Sequence, residues 1–353
     1  MTTLAARAHL LAVVLTTSAG CLHPAPSAPP TPTGRTAWVD SLGFANRLIG
    51  TGDTWVHTID YGGTGPALVF LSGLGNSAHV FDEFAPRFTN EYHVLGITRR
   101  GYGESGRPSG GYDTARLVED VRVALDSLGI PQATLVAHSV GGDELTGFGV
   151  RYPTRTLGLV YLDAAYDRHG MTGKLVQRFL LNQLPPSAPG PRGKDRASAL
   201  AMQGYLEHTY GVRWPLSEVR ATRRFDADGR YLGDSAAGST GFKVMRGEEP
   251  MAYDRLVAPV LAIYSTERSV ERDYPWIRRM TIGRGFKQLD AMRASRAQDR
   301  FERGERARLR RALPRAQVVE VRDASHYVFI SHASLVEDAM RHFLGATLRP
   351  DAP

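Results

Sequence analysis

The stretch Thr134-Leu135-Val136-Ala137-His138-Ser139-Val140-Gly141-Gly142 concentrates this chain's capacity for chemistry. An apolar run ends abruptly at small, glycine-rich residues. Asp143, Glu144, Leu145, Phe148 and Val150 then read as a helix that stops near Tyr152-Pro153. A serine on so tight a strand-to-helix turn is pushed out of the sheet edge. The unpaired N–H groups of the helix start, that of Val140 among them, point the same way. Ala137 to Gly141 has the nucleophile-elbow spacing, with alanine at the first small position. A serine hydroxyl is a weak nucleophile at neutral pH, so Ser139 needs a base within hydrogen-bond reach. His138 is next to it, but on a strained turn its side chain points elsewhere, to pack or to line a pocket. The histidines are otherwise scattered, with no His-Glu-Xaa-Xaa-His spacing and no phosphate loop, so no metal or cofactor is implied.

The elements that must position this serine can be read on either side of it. Trp55 to Ile59 alternates like a strand and ends at the turn Tyr61 to Pro66. Ala67 to Leu71 is a continuous apolar run suited to a strand buried on both faces, and Tyr92 to Ile97 is another strand. Leu117, Val121, Leu125 and Leu128 mark the inward stripe of a helix closed by Gly129. Leu157 to Leu162 is a strand ending at Asp163. From Tyr166 to about Tyr253 the alternation is lost, and it resumes with Pro259 to Tyr264, Ala316 to Val321 and a helix from Ser334 to Leu344. This pattern predicts an α/β fold with a doubly wound, mostly parallel sheet. Residues 38–165 and 254–350 would form the core, and 166–253 a cap inserted over the strand ends.

The start of the chain reads differently. Arg7, the apolar run Leu10 to Leu15 and Ser18-Ala19-Gly20 before Cys21 have the layout of a secretory signal over residues 1–20, and the run is too short to span a bilayer. Cys21 is the single cysteine, which rules out an internal disulfide. Its place resembles that of the lipidated cysteine of bacterial lipoproteins, with Ser18 where leucine is usual. Residues 21–37 are rich in proline, serine and threonine and read as a stiff tether. The expectation is an exported, lipid-anchored protein of the bacterial cell envelope, with a soluble exported protein as the alternative. Between Arg278 and Arg315 stand twelve Arg and one Lys against four acids, in a chain of net charge +7. No nucleic-acid reader accompanies this stretch, so a solvated helix or attraction to anionic lipid fits better than nucleic-acid binding.

Four motifs in order resemble the α/β-hydrolase superfamily, and the resemblance covers the chain from about Trp55 to Leu344. Ser72-Gly73-Leu74-Gly75 is similar to the family's His-Gly-Xaa-Gly oxyanion loop, with serine for histidine. Arg100-Gly101-Tyr102-Gly103-Glu104-Ser105 is similar to its Arg-Gly-Xaa-Gly-Xaa-Ser turn, with Thr98 where aspartate is common. The elbow follows, and Asp323-Ala324-Ser325-His326 resembles the C-terminal histidine loop. The resemblance implies Ser139 as nucleophile, His326 as base, and the N–H groups of Leu74 and Val140 as the oxyanion hole. The family's acid follows the strand ending at Tyr264. There this chain has Ser265-Thr266-Glu267-Arg268, so Glu267 lies one residue early and Arg268 fills the usual slot. Glu267 is the first choice for the acid, Asp163 the alternative used by some relatives, and Asp273 a third. A serine at the elbow argues against the dehalogenase and epoxide hydrolase chemistries, which use aspartate there. It favours hydrolysis of a small ester, lactone or related acyl substrate. A non-catalytic lipid-anchored binding protein, or an acyltransferase or perhydrolase with the same triad, remain alternatives.

Overall fold

A computed structural model describes residues 36–169, 188–279 and 284–347. The signal, Cys21 and most of the tether lie outside the described residues. Among the described residues nine strands form one sheet: β1 (Ala37–Val39), β2 (Ala45–Gly50), β3 (Trp55–Gly62), β4 (Ala67–Leu71), β5 (His93–Thr98), β6 (Ala133–His138), β7 (Thr156–Leu162), β10 (Val260–Thr266) and β11 (Gln317–Arg322). A separate two-stranded hairpin pairs β8 (Arg223–Phe225) with β9 (Tyr231–Asp234). The sheet order is β1-β2-β3-β5-β4-β6-β7-β10-β11. The first three strands pair antiparallel, as does β3 with β5, and every later pairing is parallel. β3 continues past Ile59 through the residues expected to turn, because an irregularity between Asp60 and Gly62 lets the ladder persist to Gly62.

The continuous apolar runs are strands covered on both faces. In β4, Leu68 and Phe70 join a cluster containing Phe81, Phe84, Phe88, Phe329 and Phe343. Val69 and Leu71 face the opposite cluster, with Val121, Leu125, Phe148 and Tyr161. Each such buried side chain contributes about 1.5–3 kcal/mol relative to exposure. Helix α1 (Thr114–Ser127) is capped by Asp113, whose carboxylate accepts from the Arg116 N–H at 3.0 Å. Helix α2 (Gly141–Arg151) follows the elbow.

Between β7 and β10 the chain leaves the sheet. The described part of this insertion carries α3 (Ala199–Tyr210), α4 (Leu216–Thr222), the β8–β9 hairpin and α5 (Thr240–Arg246). α3 starts at Ser198, whose hydroxyl accepts from Ala201 N–H, and ends at Gly211 in the left-handed region (φ 69°). After β10 come α6 (Val270–Asp273), the long α7 (Arg284–Ala312), α8 (Val328–Ser331) and α9 (Ala333–Thr347). The arginine-rich stretch is mostly α7. Ala291, Ala294 and Leu309 are buried. The Arg306 and Arg308 guanidinium groups lie over the Tyr264 and Tyr253 rings at 5.8 and 5.7 Å, and Arg310 pairs with Glu320 at 2.7 Å. Arg306 and Arg308 thus cover aromatic surface, as long cationic stems do.

Candidate active site

Ser139, Asp163, Glu267 and Asp323 each stand one residue past a parallel strand, and each has a positive φ: 55°, 48°, 52° and 50°. A non-glycine residue in this region is uncommon, and four at one sheet edge mark the face where the chain turns sharply. The carboxyl ends of parallel strands are where this architecture places its ligands.

Ser139 Oγ lies 2.8 Å from His326 Nε2, and His326 Nδ1 lies 2.7 Å from Asp163 Oδ2. The carboxylate accepts the Nδ1–H, so Nε2 is left to accept the serine proton. Asp163 is fully buried and also accepts from the Tyr166 hydroxyl at 2.5 Å and from the Ser265 N–H at 3.0 Å. Burial pushes its carboxyl up, but the hydrogen bond and charge of His326, Arg268 and the Tyr166 hydroxyl outweigh it and take it down to about 2. His326 keeps 42% of its side chain exposed, so the imidazole is reachable from outside.

Glu267, the first choice from the sequence, is not against His326. Its carboxylate is 63% exposed and pairs with Arg322 at 3.4 Å. The reason is strand stagger. Leu162 ends β7 opposite Ile263, while β10 continues three residues further to Thr266. Asp163 is therefore level with the elbow, as His138 also pairs with Leu162. Glu267 overshoots by three residues, about 10 Å at strand rise. Asp273, the third candidate, instead pairs with Arg268 at 2.8 Å and accepts from the Ser295 hydroxyl.

The Ser72–Gly75 loop lies against the elbow. A Cβ on Gly73 would come within 2.7 Å of His138 Nδ1 and 3.1 Å of Ser139 Cβ. One on Gly141 would come within 3.1 Å of the Ser72 carbonyl. Only glycine permits these approaches. Arg99 joins loop to helix: its guanidinium donates to the Ser72 and Gly73 carbonyls at 2.9 and 3.2 Å and pairs with Glu144 of α2. Among the described residues the N–H groups of Leu74 and Val140 donate to no other group. From the insertion, Glu218 of α4 accepts from Asn76 Nδ2 at 2.8 Å and from Ser77 Oγ at 2.5 Å, just past the loop.

His138 is buried, and its Nε2–H donates to the His326 carbonyl at 3.0 Å. Burial and the neighbouring His326 hold its proton affinity well below the ordinary value, so it supports the His326 loop as a neutral ring. The Arg100 turn is structural. Its fully buried guanidinium is shared between Asp120 and Asp53. Thr98 accepts from the Ala78 N–H at 2.9 Å. Arg99, Glu218 and the pairing of Arg268 with Asp163 are features of the site that the sequence does not show. All three act between segments well separated in sequence, and no local pattern announces them.

A sequence profile described as the alpha/beta hydrolase fold matches residues 66–333. The chain belongs to the α/β-hydrolase fold family. Over 126 residues it is 35% identical to a fluoroacetate dehalogenase of a Burkholderia species, a match covering 34% of this chain and 41% of that one. Over 92 residues it is 38% identical to 3-oxoadipate enol-lactonase 2 of Acinetobacter baylyi, covering 26% of this chain and 34% of the relative. The matches thus span less than half of these α/β-hydrolase relatives. Among solved structures, E-2-(acetamidomethylene)succinate hydrolase superposes with a TM-score of 0.63 at 19% identity, over 86% of this chain and 99% of the other. A carboxylesterase from Bacillus subtilis gives 0.52 at 17% identity, over 86% and 92%. At such identities these structures share the fold.

Proposed function

We propose that the protein is a serine hydrolase that cleaves a small ester, lactone or related acyl substrate through an acyl-enzyme on Ser139. The observation that carries this is the unbroken hydrogen-bond chain Ser139 Oγ–His326 Nε2, His326 Nδ1–Asp163. His326 takes the serine proton as Oγ attacks the carbonyl carbon, and returns it to the leaving oxygen as the tetrahedral intermediate collapses. Asp163 holds the productive tautomer and offsets the charge of the imidazolium, for which an ionised carboxylate is required. The oxyanion is assigned to the Leu74 and Val140 N–H groups. Water then repeats the sequence on the acyl-enzyme. A relative named for lactone hydrolysis and a structural neighbour named for ester hydrolysis support this substrate class. The dehalogenase relative does not extend to its chemistry here, because a serine stands at the elbow.

Labelling with a fluorophosphonate, with the modified residue located by mass spectrometry, tests the nucleophile. Modification of Ser139, lost in Ser139→Ala together with hydrolysis of an ester and lactone panel, is the expected result. Turnover that survives Ser139→Ala would reject the reading. Export and lipidation at Cys21 belong to the same proposal and are supported by the signal-like residues before it.

A further inference from the structure

The slot in which the family usually carries its acid holds a cation here, and that cation touches the displaced acid. Arg268 Nη1 lies 3.3 Å from Asp163 Oδ2, the same oxygen that accepts the His326 Nδ1–H. Its remaining nitrogens are taken by Glu302 of α7 at 2.6 Å and by Asp273 at 2.8 Å. Glu302 is itself buried and receives Gln298 Nε2 at 2.9 Å. A row of interacting groups therefore runs from the partly exposed His326 inward through buried Asp163 and Arg268 to Glu302, and its far end is supplied by the arginine-rich helix.

We propose that Arg268 is a positioning residue that sets the charge state in which the triad works, with Glu302 as its counterweight. This inference rests on the triad proposed above. As the base, His326 must be neutral before the serine proton moves. A cation behind Asp163 opposes formation of a second cation at His326, and it ties the carboxylate oxygen to which the ring must orient. Arg268 thus extends base function to lower pH, and Glu302, together with Asp273, limits that effect by partly neutralising Arg268. The other groups near Asp163 and His326 are the Tyr166 hydroxyl, the Tyr327 ring at 5.8 Å from the imidazole, His138 from β6, and Arg168 from the loop after β7, which donates to the Ser139 carbonyl at 3.4 Å. Tyr166 and His138 are neutral. Arg168 does not contact the acid; it lies 3.7 Å from Asp143. The Glu267–Arg322 and Asp323–Arg272 pairs on the neighbouring strand ends are internally balanced and exposed.

The test is the pH dependence of kcat/KM for an ester whose hydrolysis requires Ser139, in Arg268→Met, Arg268→Lys and Glu302→Gln. Each variant is checked for folding by circular dichroism. Arg268→Met should move the acid limb up by about one pH unit, the scale of one nearby charge. Glu302→Gln should move it down, because Arg268 is then less neutralised. Arg268→Lys, which keeps the charge, should restore the wild-type limb. A merely structural role predicts losses in rate without opposite displacements. Imidazole ring-proton titration by NMR gives the same comparison without substrate. Limbs that stay in place, or move the same way in Arg268→Met and Glu302→Gln, overturn the proposal. If Arg268→Met does not fold, the direction in Glu302→Gln decides. Hydrolysis independent of Ser139 would instead reject the triad itself, so the two failures are distinguishable.

Discussion

Asp163 and Glu267 leave neighbouring parallel strands in the same left-handed conformation, with φ of 48° and 52°, yet only Asp163 meets His326. One is fully buried and the other pairs with Arg322 at the surface. The difference is three residues of strand length, since β10 runs on past the level at which β7 stops.

Asp163→Asn should lower kcat by up to about 10⁴-fold, because an amide can stabilise the wrong imidazole tautomer and cannot offset the imidazolium. Glu267→Gln should remain close to wild type, since it removes only an exposed ion pair. Steady-state kinetics of the two variants, with thermal melts as a folding control, make the comparison. The opposite ranking would return the acid's role to Glu267.

Gly73→Ala should lower kcat by about 10²-fold or more while leaving a folded protein. Its Cβ would meet His138 Nδ1 at 2.7 Å, so the loop carrying the Leu74 N–H must move. Gly75 is a contrasting site, with nothing within 4 Å of an added Cβ but a φ of +82° that strains any side chain. Normal turnover in a folded Gly73→Ala enzyme would place the oxyanion donors elsewhere.

Glu218 predicts a pH dependence of stability. Burial raises its carboxyl from 4.5 to about 7, against the hydrogen bonds from Ser77 and Asn76. Between those values the folded state holds a proton that the unfolded state has lost. Its contribution is therefore full below about pH 4.5 and declines as pH rises through 7, by on the order of 3 kcal/mol. Glu218→Gln should thus raise Tm relative to wild type more at pH 8 than at pH 5. Equal differences at the two pH values would contradict this.

Cys21→Ser should release the protein from the membrane fraction of a bacterial expression host and leave its hydrolytic activity intact. Wild-type protein found only in the soluble fraction after export would remove the anchor from the proposal.

The sequence by itself was enough for the fold class, and it singled out Ser139 and His326, which the structure places 2.8 Å apart. Buried parallel strands require continuous apolar runs, and Ala67 to Leu71 and Val260 to Tyr264 show them. The elbow needs small residues on either side of the serine because the helix packs back on its strand, and that requirement is written locally in Ala137 to Gly141. The Ser72–Gly75 and Asp323–His326 stretches are local in the same sense. The carboxylate that meets His326 was not legible in this way. Glu267 and Asp163 both follow a strand, and choosing between them depends on where adjacent strands stop relative to one another, a property of register between segments about a hundred residues apart. Tertiary structure alone also assigned Arg268. In the sequence it only displaces an expected aspartate; in three dimensions its side chain turns back to the aspartate that replaced it, where a buried carboxylate needs a nearby cation to stay ionised.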